Sequence, residues 1–244
     1  MIRGSIPPGY VRVTAGRRVA IALERNAADA NALLANGSLH EAASRIPAGR
    51  PLQGRGVAFA IALPISRECA VVRHNRHGGF LAGLTRDLFL PPSRAPDELR
   101  IACRLADAGI PTPEVLMYGL APAAVVFCRA DVVTREVVGG RDLASYMQPV
   151  EPESMRGESW AATRRLLHGL AAAGARHWDL NVKNVLLTQS GDSLTAYILD
   201  VDRVTFDLPG SARVRTGNLQ RLLRSARKWR DERGGVFDER EANA

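Results

Sequence analysis

The chain has 244 residues, 46% hydrophobic and 24% charged, which is enough apolar material for one core or two modest lobes and excludes wholesale disorder. Thirty-three basic residues against 25 acidic ones give a formal net charge of +8, and only Lys183 and Lys228 of the basic set are lysines. No apolar run approaches the ~18 residues of a membrane span, and the opening MIRGSIPPGY has no apolar stretch like that of a secretory leader.

The first fifty residues are rich in Ala and Arg and weakly periodic, and no element is assigned to them. Residues 57–63 and 69–73 read as two strands joined by a turn around Pro64–Arg67. Leu99, Ala102, Leu105 and Ala106 make a helical stripe in 96–108, opened by Pro96, Asp97 and Glu98 and closed by Gly109 and Pro111. Two short strands follow within 123–138, VVF and VVTREVV, and Gly139–Gly140 ends the first half. Residues 147–154 read as a loop, and 158–173 as a helix with Trp160, Thr163, Leu167, Leu170 and Ala171 on one face, stopped by Gly174. Then come HWDLNVKN, a strand VLL, a turn QSGDS and a strand TAYILDVD. A last helix over 217–230 carries Leu219, Leu222, Leu223, Ala226 and Trp229 on its apolar side. The order is α+β, read as a β-rich N-terminal lobe over 1–138 and a mostly helical C-terminal lobe over 139–244. Between Arg203 and Arg233 nine basic residues face three acidic ones, a net of +6 that suits a phosphate-rich partner. The three cysteines, Cys69, Cys103 and Cys128, have neither metal nor redox spacing, which fits a reducing cytoplasm.

The sharpest motif is His177-Trp178-Asp179-Leu180-Asn181-Val182-Lys183-Asn184, followed by Asp200 at the end of Tyr197-Ile198-Leu199. Phosphoryl transfer needs one carboxylate to orient an attacking hydroxyl, and a carboxylate with an amide oxygen to hold Mg²⁺ against the phosphates. The spacing puts Asp179 and Asn184 on one tight loop, and the hairpin after it returns Asp200 beside Asn184. Asp179 is thus the expected base, with Asn181 beside it in the catalytic loop; Asn184 and Asp200 are the expected metal ligands. Taken singly, Asp179 could cap a turn and Asp200 could end a strand. Together they form the pattern of a protein-kinase-like catalytic loop and its following Asp segment. Asp200-Val201-Asp202 lacks the aromatic and glycine of D-F-G, and only 42 residues follow it. No A-P-E segment appears, which favours a small-molecule or glycan acceptor over a protein. Trp178 replaces the arginine with which protein kinases read a phosphorylated loop, and His177 is expected to brace the loop by hydrogen bonds.

Upstream, Gln53-Gly54-Arg55-Gly56 precedes the first strand of the pair, where glycines let backbone amides approach phosphates. An ordinary β-turn is the other reading of Gly54 and Gly56. No lysine precedes Lys183, so Arg73 is the cation expected on the nucleotide phosphates, held by Glu98 at the start of the next helix. Glu98 could equally offset the helix dipole. Backbone groups around Thr134–Val138 are expected to hold adenine.

Several segments together resemble the 3-deoxy-D-manno-octulosonic acid (Kdo) kinases of the lipopolysaccharide kinase group. They are Gln53–Gly56, Arg73-His74-Asn75-Arg76-His77-Gly78-Gly79, Ala108–Pro113, Asp179-Leu180-Asn181 with Asn184, Leu199–Asp202 and Asn218-Leu219-Gln220-Arg221-Leu222-Leu223-Arg224-Ser225. The resemblance spans about residues 50–230. It implies a protein-kinase-like two-lobed fold, ATP and Mg²⁺, and phosphorylation of a Kdo hydroxyl, typically O-4, on Kdo-lipid A. It implies work at the cytoplasmic face of a Gram-negative inner membrane, as a peripheral protein on that anionic surface. Arginine at the usual lysine position is shared with the family; Val201 and Lys183 depart from its usual Phe and His. A kinase for another glycan, such as an inner-core heptose, is the rival acceptor reading. An aromatic content of 5% offers few platforms for nucleic-acid bases, so no nucleic-acid partner is expected.

Overall fold

A computed structural model describes residues 5–52, 57–74, 95–122 and 128–240. Gly54 and Gly56, the 75–79 part of the Arg73–Gly79 segment and the VVF strand lie outside the described residues. The chain forms two compact units, Met1–Cys103 with Glu114–Glu136 and Arg104–Pro113 with Val137–Ala244.

The first unit is built on a seven-stranded antiparallel sheet in the order β1-β2-β6-β7-β5-β4-β3. Its strands are β1 Tyr10–Ala15, β2 Arg18–Leu23, β3 Arg50–Leu52, β4 Ala58–Ala62, β5 Cys69–His74, β6 Val115–Pro122 and β7 Cys128–Arg135. Two short helices, α1 Ala27–Ala35 and α2 Leu39–Ser44, cover one face and bury Leu33, Leu34 and Leu39 with Ile61, Val72, Leu116 and Val133. A capping box starts α2: Ser38 Oγ accepts from Glu41 N at 3.2 Å and Glu41 Oε2 accepts from Ser38 N at 3.0 Å. On this face His40 and His74 stack at 3.7 Å, and the buried carboxylate of Asp131 bonds the His74 ring and His40 N. No sequence spacing linked these three. Helix α3, Ala95–Asp107, buries Ala95, Glu98, Leu99, Ala102 and Leu105 but leaves Ala106 of the expected stripe exposed.

In the second unit β8 Arg141–Asp142, β10 Val185–Ser190 and β11 Ser193–Ile198 form a small sheet, and β9 Ala175–His177 pairs with β12 Val204–Phe206. Helix α4 is Leu143–Tyr146, capped by Asp142; α5 is Glu153–Ala172 and α6 is Ala212–Arg233. The loop expected over 147–154 shortens, because α5 begins at Glu153, and its core residue is Leu166 rather than Leu167. Gly174 ends α5 at φ +69°, and a Cβ there would sit 2.3 Å from Asp207 O, so a side chain is excluded on two counts. Helix α6 exceeds the expected 217–230 at both ends and stops at Gly234, a left-handed residue whose N–H returns to Arg230 O.

Candidate active site

In the first unit, Arg73 lies on β5 between Ala58 of β4 and Val132 of β7. Its Nη2 donates to Glu98 Oε1 on α3. Glu98 is 2% exposed and Arg73 27%. A carboxylate this buried requires its cation: removing one partner of such a pair costs about 3–5 kcal/mol. The pair therefore fixes the Arg73 guanidinium while leaving part of it accessible to a ligand.

In the second unit the loop from His177 to Asn184 is one hydrogen-bonded frame. Asp179 O accepts from the side-chain amides of Asn181 and Asn184, both at 2.9 Å. Asn184 N donates to Asn181 O at 3.0 Å, and Lys183 N to Asn181 Oδ1 at 2.9 Å. Asn181 thus acts inside the loop, shaping the turn. Lys183 swings away to Asp142 at 2.9 Å and over the Trp229 ring at 4.8 Å.

Leu199 joins this loop to Asp200. Its N–H donates to Asn184 O at 2.9 Å and its carbonyl accepts from His177 Nε2 at 3.0 Å. Ile198 is fixed on its other side, N–H to Pro111 O at 2.9 Å and O from Thr112 Oγ1 at 3.1 Å. The expected strand therefore ends at Ile198. Asp200 then turns into the left-handed region, φ +53° and ψ +47°, ahead of a 3-10 turn at Val201–Arg203. For a non-glycine residue this conformation costs on the order of 1–2 kcal/mol, and the flanking bonds hold it in place. Asp179 and Asp200 are exposed, whereas His177, Leu180, Val182 and Ile198 beneath them are buried.

His177 is fully buried, and its two ring hydrogen bonds suit the neutral imidazole. Nδ1 accepts the Asp179 N–H at 3.2 Å, so the proton sits on Nε2 and is given to Leu199 O. Burial pushes its pKa below the ordinary 6.5, against the opposing pull of the Leu199 carbonyl and of Asp200, Asp179 and Asp202. Helix α6 closes the frame from below. Asn218 Oδ1 accepts from His177 N at 3.0 Å and its Nδ2 donates to Ala175 O at 2.9 Å. Arg221 Nε donates to Trp178 O at 3.2 Å, and Ser225 Oγ accepts from Val182 N at 3.2 Å. Asn218, Arg221 and Ser225 belong to the terminal segment singled out in the sequence; their bracing role is visible only in three dimensions.

The second unit thus brings Asp179, Asn181, Asn184 and Asp200 together, and the first brings Arg73 to Glu98. With Nδ2 spent on Asp179 O, Oδ1 is the amide atom of Asn184 left for a ligand. One amide oxygen and one carboxylate are hard oxygen donors and fit Mg²⁺, which keeps waters and takes further oxygens from phosphates. Among the described residues no group of three or more His, Cys, Asp or Glu could hold a metal ion.

An exposed carboxylate, an amide oxygen, a second carboxylate and an arginine held by a buried glutamate are groups suited to phosphoryl transfer, here carried on an α+β fold. Residues 50–236 match the model of the Lipopolysaccharide kinase (Kdo/WaaP) family, and the chain belongs to that family. It is 29% identical over 181 residues to the 3-deoxy-D-manno-octulosonic acid kinase of Pasteurella multocida (strain Pm70), across 72% of this chain and 73% of that one. It is 32% identical over 184 residues to the enzyme of the same name from Stenotrophomonas maltophilia (strain R551-3), across 74% and 70%. Among solved structures it is similar to WaaP in complex with acyl carrier protein, at TM-score 0.49 and 19% identity over 80% of this chain and 78% of that one. Among the described residues no helix is long and apolar enough to cross a membrane.

Proposed function

We propose that this lipopolysaccharide kinase transfers the γ-phosphate of ATP to a Kdo hydroxyl, O-4, of Kdo-lipid A. Residues 1–138 hold the nucleotide and residues 139–244 carry the transfer. The observation that carries the reading is the pair of hydrogen bonds at Leu199, its N–H to Asn184 O and its carbonyl from His177 Nε2, which ties the residue before Asp200 to the loop bearing Asp179. The 3-deoxy-D-manno-octulosonic acid kinases among its relatives support the acceptor.

Asp179 accepts a hydrogen bond from the sugar hydroxyl and aims its oxygen at the γ-phosphorus, taking the proton as the new bond forms. Asn184 Oδ1 and the Asp200 carboxylate would hold Mg²⁺, which would supply neutralisation of the phosphate charge. Arg73, steadied by Glu98, lies along the α/β-phosphates; Gly54 and Gly56 bring backbone amides to them, and the backbone of 134–138 reads adenine. Positioning and charge neutralisation dominate such a transfer. His177 keeps the loop in shape and moves no proton. The net of +6 over Arg203–Arg233 suits an acceptor bearing a carboxylate and phosphates on an anionic surface, the cytoplasmic face of the inner membrane.

Asp179→Asn tests the reading with labelled ATP and purified Kdo-lipid A. Turnover should fall by about 10³-fold or more while Mg·ATP still raises the melting temperature. Wild-type activity in that variant rejects Asp179 as base. Phosphorylation of heptosylated core in place of Kdo-lipid A moves the acceptor to an inner-core heptose.

A further inference from the structure

Two guanidinium groups stack on one indole beside the proposed base. Arg176 Cζ lies 3.8 Å and Arg221 Cζ 4.9 Å from the Trp178 ring centroid. Trp178 directly precedes Asp179, is 48% exposed, and is fixed by a 2.8 Å bond from Nε1 to Thr205 Oγ1 on β12. Both arginines also converge on Gly217, inside α6. A Cβ there would lie 3.2 Å from Arg221 Nη1 and 3.5 and 3.7 Å from Arg176 Nε and Nη2. Glycine is a poor helix residue; here its missing side chain gives the two cations their shared space.

Among the described residues no acid balances them. Arg176 Nε is buried without a hydrogen-bond partner. Among the described residues Arg221 bonds only the backbone carbonyls of Trp178 and Gly217. Among the described residues neither of them, nor the neighbouring Arg224, forms an ion pair with a carboxylate. Burial, and then the charges of Arg176 and Arg224, hold the Arg221 guanidinium below its ordinary value. Like charges packed this way, with donors left over, form half of a bidentate oxyanion site.

We propose that Arg176 and Arg221, ordered by Trp178 and admitted by Gly217, bind an oxyanion of the acceptor, a carboxylate or a phosphate monoester, next to Asp179. The proposal rests on the acceptor reading above and adds the residues that select an anionic acceptor. The metal ligands reach the loop through Leu199, whereas these arginines reach it through Trp178 and α6. The anion they hold therefore belongs to the acceptor and not to the nucleotide.

Steady-state kinetics of the full chain with Kdo-lipid A test this. Arg176→Gln should raise KM for the acceptor by about tenfold or more and change KM for ATP by about twofold at most. Arg240→Gln, removing an exposed charge outside the Arg203–Arg233 stretch, should leave both unchanged. Inorganic phosphate should compete with the acceptor on the wild type and lose that competition in Arg176→Gln. Gly217→Ala should melt no lower than wild type, since alanine favours the helix, yet raise the acceptor KM because its methyl crowds both guanidiniums. That opposite movement separates a binding role from a folding defect. A dephosphorylated acceptor and one esterified at the sugar carboxylate identify the source: whichever brings the wild type to the KM of Arg176→Gln carries the anion. An acceptor KM unchanged in Arg176→Gln, or one that moves in step with that for ATP, overturns the proposal. If the wild type phosphorylates no Kdo-lipid A, the acceptor reading fails by itself. Calorimetric binding of phosphate to wild type but not to Arg176→Gln then still upholds the anion site, and equal binding to both rejects it.

Discussion

Burial decides what His177 can do. Its Nδ1 faces the Asp179 N–H and its Nε2–H faces the Leu199 carbonyl, so one acceptor and one donor are both needed. Protonation would set an N–H against an N–H and place a charge where the residue is fully buried. The folded ring accordingly holds its pKa below 6.5, whereas in the unfolded chain it protonates near that value. Below pH 6.5 the unfolded state therefore binds more protons, and the stability this residue lends above that pH is lost as pH falls toward the folded value. The slope is at most about 1.4 kcal/mol per pH unit for one proton. Denaturant midpoints measured from pH 8 down to about 5 should decline through this window, and His177→Gln should flatten the decline. A wild type that gains stability on acidification would contradict the neutral ring. The sequence already suggested a bracing role for His177, because the loop supplies its own aspartate. What it could not supply is the partner, since Leu199 and Asn218 lie 22 and 41 residues away.

At the scale of elements, α6 is the beam under the loop that carries Asp179. Asn218, Arg221 and Ser225 share one helix face at i, i+3 and i+7, and they hold Ala175, His177, Trp178 and Val182 in turn. Asn218 is fully buried, so Asn218→Ala strands the His177 N–H and the Ala175 carbonyl without solvent. That should cost about 1–3 kcal/mol of stability. It should also lower kcat more than it raises KM for ATP, because it loosens the geometry of Asp179; calorimetry and kinetics on one preparation check both. Ser225→Ala should do less, its bond to Val182 being only partly buried. An Asn218→Ala enzyme with full kcat would show that the loop keeps its shape unaided. The sequence placed this helix from its leucines and began it at 217, but the structure starts it at Ala212 and buries Val214 as well. The larger miss is β6, the strand beside β2 and β7 in the first sheet. Gly119 in its middle and Pro122 at its end look like punctuation. The glycine is there because Leu39 of α2 packs over it, and a Cβ would come within 2.8 Å of Leu39 Cδ1.

For the molecule as a whole, legibility followed chemistry. The second unit's polar residues sit close together in sequence, so loop, hairpin and Asp200 were readable. The first unit's outer layer was not, because α1, AADANALLA, has too much alanine to show an apolar stripe. Charge is the property the whole sequence did reveal, and it carries a prediction about surfaces. Along α6, Arg227 pairs with Glu239 and Arg230 with Asp231, while Arg213 and Arg215 are exposed and unpaired among the described residues. Cations near an anionic bilayer contribute about 1 kcal/mol each. The joint variant Arg213→Gln with Arg215→Gln should therefore bind anionic vesicles about 30-fold more weakly than wild type. Wild-type binding should itself drop steeply between about 0.05 and 0.5 M salt, and neutral phosphatidylcholine vesicles should retain little protein. Co-sedimentation measures all three. Binding indifferent to salt would instead point to apolar insertion, for which Leu208, 76% exposed in the loop between β12 and α6, is the side chain to replace first.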